Sequence, residues 1–434
     1  MTDTKLNAAW ETWDAEHVWH PYTQMKLLPK AVGVVRAEGS YLYLRDGRKI
    51  FDGISSWWLT LHGHAHPRIA AAIAEQASKL EQVIFAGFTH EPAATLAHKL
   101  VQRAPRGLSK VFFSDDGSTA VEVALKMVIQ YWKHHGEDRR IFLALESAYH
   151  GDTFGAMSVS ARGPFTDAFV PFLFDVKRLP LPTPGDSEAN SDVEEEFLLK
   201  LRMECRDNSS VAAFIYEPLL LGAGGMKTWR PQVLDEALSI VREYGILAIA
   251  DEVLTGFGRT GTFLASEQAS ISPDIITLSK GLTGGFLPMG ITLASQEIFN
   301  SFLSEDRSRT FFHGHSYTGN PLACSAAIAS LYIFDEEPVM ERIASIERLH
   351  RARLPELAKR IGYRHRILGT MAAMEPEISV GYLSPDMLTL APKALERGLL
   401  IRPLGDVIYL LPPYSSTEND LNQSYDILEE LIKG

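Results

Sequence analysis

The sequence predicts an α/β fold, with a large domain around a mostly parallel central sheet and a smaller α+β domain beside it. Three observations carry this. Short apolar runs alternate with helix-like runs through the middle of the chain, the signature of repeated βαβ units. Two of those runs, 246–250 and 274–280, end in Asp251-Glu252 and in Lys280. After Pro321 the pattern changes to long helical segments separated by short strands. The expected organisation is an N-terminal part of the small domain at 1–60, the large domain at 61–320 and the C-terminal part of the small domain at 321–434.

Taken in order, 33–37 and 41–44 read as strands, with Asp46-Gly47 as a turn. A strand at 110–114 leads into a helix at 119–132. Strands follow at 141–145 and 211–216. The stretch 182–191 is rich in Pro, Gly, Asp, Glu and Ser and reads as an exposed loop. Glu194, Glu195 and Glu196 then mark a helix first turn, where acids complement the helix dipole. A helix at 233–244 precedes the 246–250 strand. Beyond Pro321, 322–334 and 340–361 read as helices, 366–375, 399–402 and 407–411 as short strands, and 419–432 as a closing helix.

Composition narrows the function. The chain of 434 residues is 46% hydrophobic and 22% charged, an ordinary globular balance. A net charge of -12 argues against a basic stripe for nucleic acid. The two cysteines, Cys205 and Cys324, form neither a disulfide framework nor a metal-ligand spacing. Residues 1–20 lack the apolar core of a signal peptide, and no apolar stretch is long enough to span a bilayer. The expectation is a cytoplasmic protein without metal, nucleic-acid or membrane partners.

Ligands on parallel sheets bind beyond the strand carboxyl ends, so Asp251 and Lys280 are expected to project into one crevice. That pairing is what pyridoxal phosphate chemistry needs: an amine to bond the cofactor and an acid beside its pyridine nitrogen. At about 4 Å and an effective dielectric near 20, such an ion pair is worth roughly 4 kcal/mol, on the order of three pKa units. Acids also cap helices at strand ends, but Thr255-Gly256-Phe257-Gly258-Arg259-Thr260-Gly261 suggests a loop tight against a ligand. Most lysines are solvated; a desolvated one becomes a nucleophile, and Gly281 to Gly285 leaves room for a ligand against backbone. Asp115-Asp116-Gly117-Ser118-Thr119 is either an ordinary N-cap or a cradle for one phosphate. It is neither Walker A nor G-x-G-x-x-G, so a nucleotide is not indicated. Tyr149 is either a core residue or a ring that stacks on a flat ligand. Glu217, ahead of the glycines at 222, 224 and 225, is a second carboxylate at a strand end. Arg402 offers a fork for a carboxylate or makes a surface salt bridge. Trp57-Trp58 with Tyr22 and Tyr409 either line a long apolar pocket or belong to the core.

Asp251-Glu252-Val253 through Gly261, Lys280-Gly281, Asp116-Gly117-Ser118 and Tyr149-His150-Gly151-Asp152 together resemble the class III, fold-type I pyridoxal phosphate aminotransferases. The resemblance covers nearly the whole chain. It implies that Lys280 carries the cofactor, that Asp251 pairs with the pyridine nitrogen and that Tyr149 stacks on the ring. Gly117 and Ser118 would hold the phosphate, with His150, Glu217 and Val253 also at the cofactor. In this family a second subunit touches the phosphate, here through His315 and Ser316, which implies a homodimer with shared sites. Tyr22, Trp57, Tyr149, Lys280, Gly314, Arg402 and Tyr409 would bind substrate. The segments His20-Pro21-Tyr22-Thr23, Ser55-Ser56-Trp57-Trp58, Ile401-Arg402-Pro403 and 409–414 look like the family's biotin-synthesis branch, which acts on a nonanoate keto acid. The donor would be S-adenosylmethionine or lysine: 312–320 and 286–288 look like the lysine users, Ser56-Trp57 like the adenosylmethionine users. Alternatives are a class III enzyme for ω-amino acids or diamines, and a non-catalytic cofactor-binding regulator, although no basic helical extension is present.

Overall fold

Val211–Tyr216 and Leu247–Asp251 are buried at every position, as strands covered on both faces must be. Successive residues serve two cores: Phe214 and Tyr216 pack into one, Ala213 and Ile215 into the other. The computed structural model, which describes residues 3–27, 30–183, 191–378, 381, 384 and 387–433, places these strands in a seven-stranded sheet. The order is Leu108–Ser114, Gly290–Ser295, Ile275–Leu278, Leu247–Asp251, Val211–Tyr216, Ile141–Leu145, Val176–Leu179. Gly290–Ser295 runs antiparallel to both neighbours; the remaining pairs are parallel. The mostly parallel α/β sheet expected from the alternation is therefore present.

Helix Gly117–His134 covers one face through Ala120, Val121, Ala124 and Val128. It begins at a capping box in which Thr119 N donates to Asp116 Oδ1 at 2.8 Å and Asp116 N donates to Thr119 Oγ1 at 3.1 Å. Helix Pro231–Glu243 starts with proline in its first turn, where no N–H is needed. Helix Ser191–Asp207 opens with Asp192 and Glu194 in its first turn. Of the loop expected at 182–191, residues 184–190 lie outside the described residues.

Both ends of the chain meet in smaller sheets. Val34–Glu38, Tyr41–Leu44 and Lys49–Asp52 form an antiparallel meander, and Leu399–Leu400 adds to it parallel to Lys49–Asp52. Gly47 makes the turn before Lys49, with φ 90° and its N–H bonded to Leu44 O at 3.1 Å. A three-stranded sheet joins Tyr363–Leu368, Met371–Pro376 and Ile408–Leu410. Here the expectation needs correcting: 366–375 is not one strand but two, paired antiparallel with Leu368 opposite Met371. Gly369, at φ 55°, opens the two-residue turn. Apolar residues on either side hid it. No helix among the described residues is long and apolar enough to cross a membrane.

Candidate active site

The carboxyl ends of the central strands converge on one cavity of about 430 Å3. Asp251 ends its strand, Lys280 follows Ile275–Leu278, Glu217 follows Val211–Tyr216, and Tyr149-His150 follow Ile141–Leu145. All line the cavity, as do Gly117, Ser118, Val253, Trp58 and the wall 285–289. Sequence reading thus brings together Lys280, Asp251, Tyr149, His150, Glu217, Val253, Gly117 and Ser118.

Asp251 is buried and held from three sides. Its Oδ1 accepts from Val253 N and Thr277 Oγ1, both at 3.1 Å. Its Oδ2 lies 2.6 Å from His150 Nδ1; an ionised carboxylate only accepts, so the imidazole donates. His150 is itself fixed by its backbone N–H to Ser160 Oγ at 2.8 Å, and its Nε2 is buried without a hydrogen-bond partner. The Lys280 amine stands 4.6 Å from the centroid of the Trp58 ring. Burial pushes it down to about 8; Asp251 and Glu217 oppose the shift and Arg259 adds to it. Its backbone sits at φ 41°, unusual for a lysine. Burial, reinforced by Asp251, pushes Glu217 up to about 7 against His150. Glu217 accepts from Tyr149 N at 3.1 Å and Gly222 N at 2.9 Å, tying two loops together. Burial, then the hydrogen bond to Tyr22, raises the Tyr149 phenol well above its usual value.

The mouth is aromatic. Tyr22 meets Trp57 edge-on at 5.2 Å and Phe165 at 5.9 Å. Its hydroxyl donates to Asp152 and lies 3.1 Å from the Tyr149 hydroxyl. The Arg402 guanidinium lies 4.5 Å over the Trp57 ring. Ser55, Ser56, Trp57 and Trp58 all have positive φ, 51°, 46°, 72° and 78°. Such a left-handed turn costs about 1–2 kcal/mol per residue, yet it sets Trp58 on the cavity lining and Trp57 against Tyr22 and Arg402 beside it. Tyr409 stands behind this wall, its hydroxyl accepting from Trp58 Nε1 at 3.0 Å, and does not line the cavity. Tyr22, Trp57, Arg402, Gly314, His315 and Ser316 also lie outside the lining. Gly314 is exposed, Ser316 O accepts from Gln82 Nε2 at 2.8 Å, and His315 Nε2 is 4.0 Å from Asp115 Oδ1 at the cavity wall. Thr277 and Ser279 were not singled out from sequence. Thr277 lies in an unbroken apolar run, so only the pairing of its strand with Asp251 reveals it.

The residues present fit pyridoxal phosphate. A Cβ on Gly117 would lie 2.7 Å from Val253 Cγ1, and one on Gly151 (φ 130°) would lie 2.1 Å from Ser118 Oγ. The helix start is therefore pressed against the cavity floor, where its first N–H groups have no intrahelical partners. An anionic carboxylate, a desolvated amine and this anion cradle share one enclosure. No group of three or more His, Cys, Asp or Glu that could hold a metal occurs among the described residues.

A doubly covered α/β sheet with that enclosure at its carboxyl edge defines a pyridoxal-phosphate-dependent transferase. More narrowly, the chain belongs to the class III aminotransferase family, whose model matches residues 23–432. It is 48% identical, over 96% of its length and 98% of the relative's, to adenosylmethionine-8-amino-7-oxononanoate aminotransferase of Synechococcus elongatus. Among solved structures, the enzyme of the same name from Methanocaldococcus jannaschii matches with TM-score 0.91 and 37% identity, covering 98% of this chain and 99% of that one. An amine transaminase from an uncultivated Pseudomonas species, solved with pyridoxal phosphate bound, matches with TM-score 0.89 and 31% identity over 96% and 98% of the two chains.

Proposed function

We propose that this aminotransferase works in biotin synthesis, moving an amino group onto 8-amino-7-oxononanoate to give 7,8-diaminononanoate. The observation that carries the reading is the Lys280–Asp251 enclosure with a cluster of Tyr22, Trp57 and Arg402 beside it, joined through the Tyr22–Tyr149 hydroxyl contact. An aliphatic keto acid needs aromatic walls along its chain and a guanidinium for its carboxylate. The identity to relatives named for this substrate supports it.

Pyridoxal phosphate, when bound, supplies an aldehyde carbon for the amino group and a ring that takes up an electron pair. The N–H groups of Gly117 and Ser118 bind its phosphate. Asp251 holds a proton on the pyridine nitrogen, and His150 and Thr277 keep the carboxylate aimed. Lys280 would hold the cofactor through its amine and, when that amine is free, would take the donor's Cα proton and return one to the acceptor carbon. Its depressed basicity suits both directions near neutral pH. Tyr149 walls the ring, and Glu217 fixes the main chain of Tyr149. The 314–316 loop lies outside the lining of its own cavity, with Gly314 and Ser316 exposed, and this supports a homodimer in which each copy contributes that loop to the other's phosphate site. The small domain comprises 1–60 with 321–434, as the shared sheet suggests.

Purified enzyme is incubated with 8-amino-7-oxononanoate and either S-adenosylmethionine or lysine, and diaminononanoate is read by mass spectrometry. Product with one donor identifies it; no product with either removes the reading. The resemblance to an amine transaminase favours a second reading, a simple amine as donor with a ketone or aldehyde acceptor. Turnover confined to such pairs would establish it.

A further inference from the structure

Asp52 is fully buried and has no part in the chemistry above. Three donors converge on it. Its Oδ1 accepts from Ile54 N at 3.3 Å. Its Oδ2 accepts from Ser56 Oγ at 2.8 Å and from His64 Nε2 at 2.9 Å. His64 is in turn anchored to the N-terminal sheet, its N–H bonded to Gly39 O at 2.7 Å and its O accepting from Gly39 N at 3.2 Å. Ile54 and Ser56 open the left-handed turn whose next two residues are Trp57 and Trp58.

That turn does not hold itself. Its internal bonds run from Trp58 N to Ile54 O at 2.8 Å and from Leu59 N to Ser55 O at 3.0 Å, and a right-handed turn would satisfy the same groups without the φ strain. The hand must be imposed from outside. Ser55 Oγ donates to Leu411 O at 2.7 Å, and Arg259 Nη2 reaches Trp58 O at 3.1 Å. These fasten the back and the far end. Asp52 fastens the beginning and, among the described residues, it is the one that bonds the side chain of Ser56, directly before the paired indoles. A carboxylate suits this because both oxygens accept; an amide would turn an NH2 toward one of the donors.

We propose that Asp52, oriented by His64, is a positioning residue for amino transfer: it fixes the Ser55–Trp58 turn in its left-handed form and so keeps Trp57 and Trp58 on the substrate path. The inference rests on the proposed acceptor, because Trp58 lines the cavity and Trp57 packs against the Tyr22 and Arg402 assigned to that acceptor. Substitution of Asp52 acts through the tryptophans, so it weakens acceptor binding more than it slows chemistry.

The test measures steady-state kinetics and thermal midpoint for holoenzyme carrying Asp52→Asn, alone and combined with Ser56→Gly. A glycine adopts positive φ without penalty, so the turn can keep its hand without the carboxylate's grip on Ser56. The expected result is an acceptor KM raised about tenfold with kcat within about threefold, and recovery of most of that KM in the double variant. An acceptor KM within about twofold of the parent overturns the proposal. So does a joint loss of kcat and thermal midpoint that Ser56→Gly leaves unrepaired, which marks a merely structural carboxylate. If Asp52→Asn does not fold, Ser56→Ala reports instead, with about a threefold rise in KM expected and an unchanged KM overturning. A parent inactive on 8-amino-7-oxononanoate sinks the proposed function alone, and the same split is then measured on the carbonyl compound the parent accepts.

Discussion

At the level of single residues, the site is governed by how burial moves two ionisable groups in opposite directions. Lys280 is pushed down to about 8 from 10.5. Between those values the unfolded chain binds more protons than the native one, so this residue makes stability rise with pH across that window. Glu217 is pushed up to about 7 from 4.5. Between those values the native chain holds the extra proton, so stability falls as pH rises through them. Because only the neutral amine attacks an aldehyde, cofactor-free protein should take up pyridoxal phosphate at a rate that climbs through pH 8. Stopped-flow absorbance from roughly pH 6 to 10 reads this, and a flat profile contradicts it. Lys280→Met should abolish turnover, while the thermal midpoint of the cofactor-free protein stays level or rises, since a desolvated amine has been replaced by an apolar chain. Asp251→Asn should lower kcat/KM by about three orders of magnitude, the worth of an ion pair of roughly 4 kcal/mol. A smaller loss would mean that the carboxylate does not govern the ring nitrogen. Asp251, Lys280, Glu217 and Gly117-Ser118 were all legible in sequence because each ends a strand or opens a helix. Thr277 was not, because its partner Asp251 lies 26 residues away; nor was Asp52, whose near neighbours Ile54, Ser56 and His64 meet it only through a backbone turn that no side-chain pattern signals.

At the level of elements, periodicity was informative wherever a strand was buried on both faces. Ile141–Leu145 and Val211–Tyr216 were read to the residue. It failed where the backbone does something a side-chain pattern does not encode. The 366–375 run conceals a hairpin because Gly369 takes φ 55° between two apolar strands. The Ser55–Trp58 turn is left-handed with no glycine to announce it. The antiparallel Gly290–Ser295 strand carries no mark of its direction, since central strands look alike whichever way they run. Gly369 also approaches the loop that carries Arg259: a Cβ there would lie 2.4 Å from Arg259 O. Gly369→Ala should therefore destabilise the fold by about 1–3 kcal/mol, read as a lower urea midpoint at unchanged slope. An equal midpoint would show that the turn relaxes freely.

At the level of the whole molecule, the proposed dimer makes a sharp prediction. If each site takes Lys280 from one copy and the 314–316 loop from the other, mixing two inactive variants must rebuild activity. Lys280→Ala removes the amine, and Ser316→Glu sets a negative charge against the phosphate. Unfolding and refolding an equal mixture should restore about one quarter of the parent's sites, because only mixed pairs contain a whole one. No recovery, with light scattering showing paired chains, would place the loop elsewhere. In sequence, the C-terminal part is marked only by a change of texture after Pro321; Phe51 pairs with Leu399, so strands from both ends of the chain share one sheet. That pairing has a consequence for biosynthesis. The indole wall leans on Leu411 and Tyr409, so on the ribosome the catalytic floor can form while the tunnel still holds the tail, but the substrate entrance cannot. Translation must pass the last strand before the nascent enzyme can recognise anything, and contacts of such long sequence separation close late and slowly.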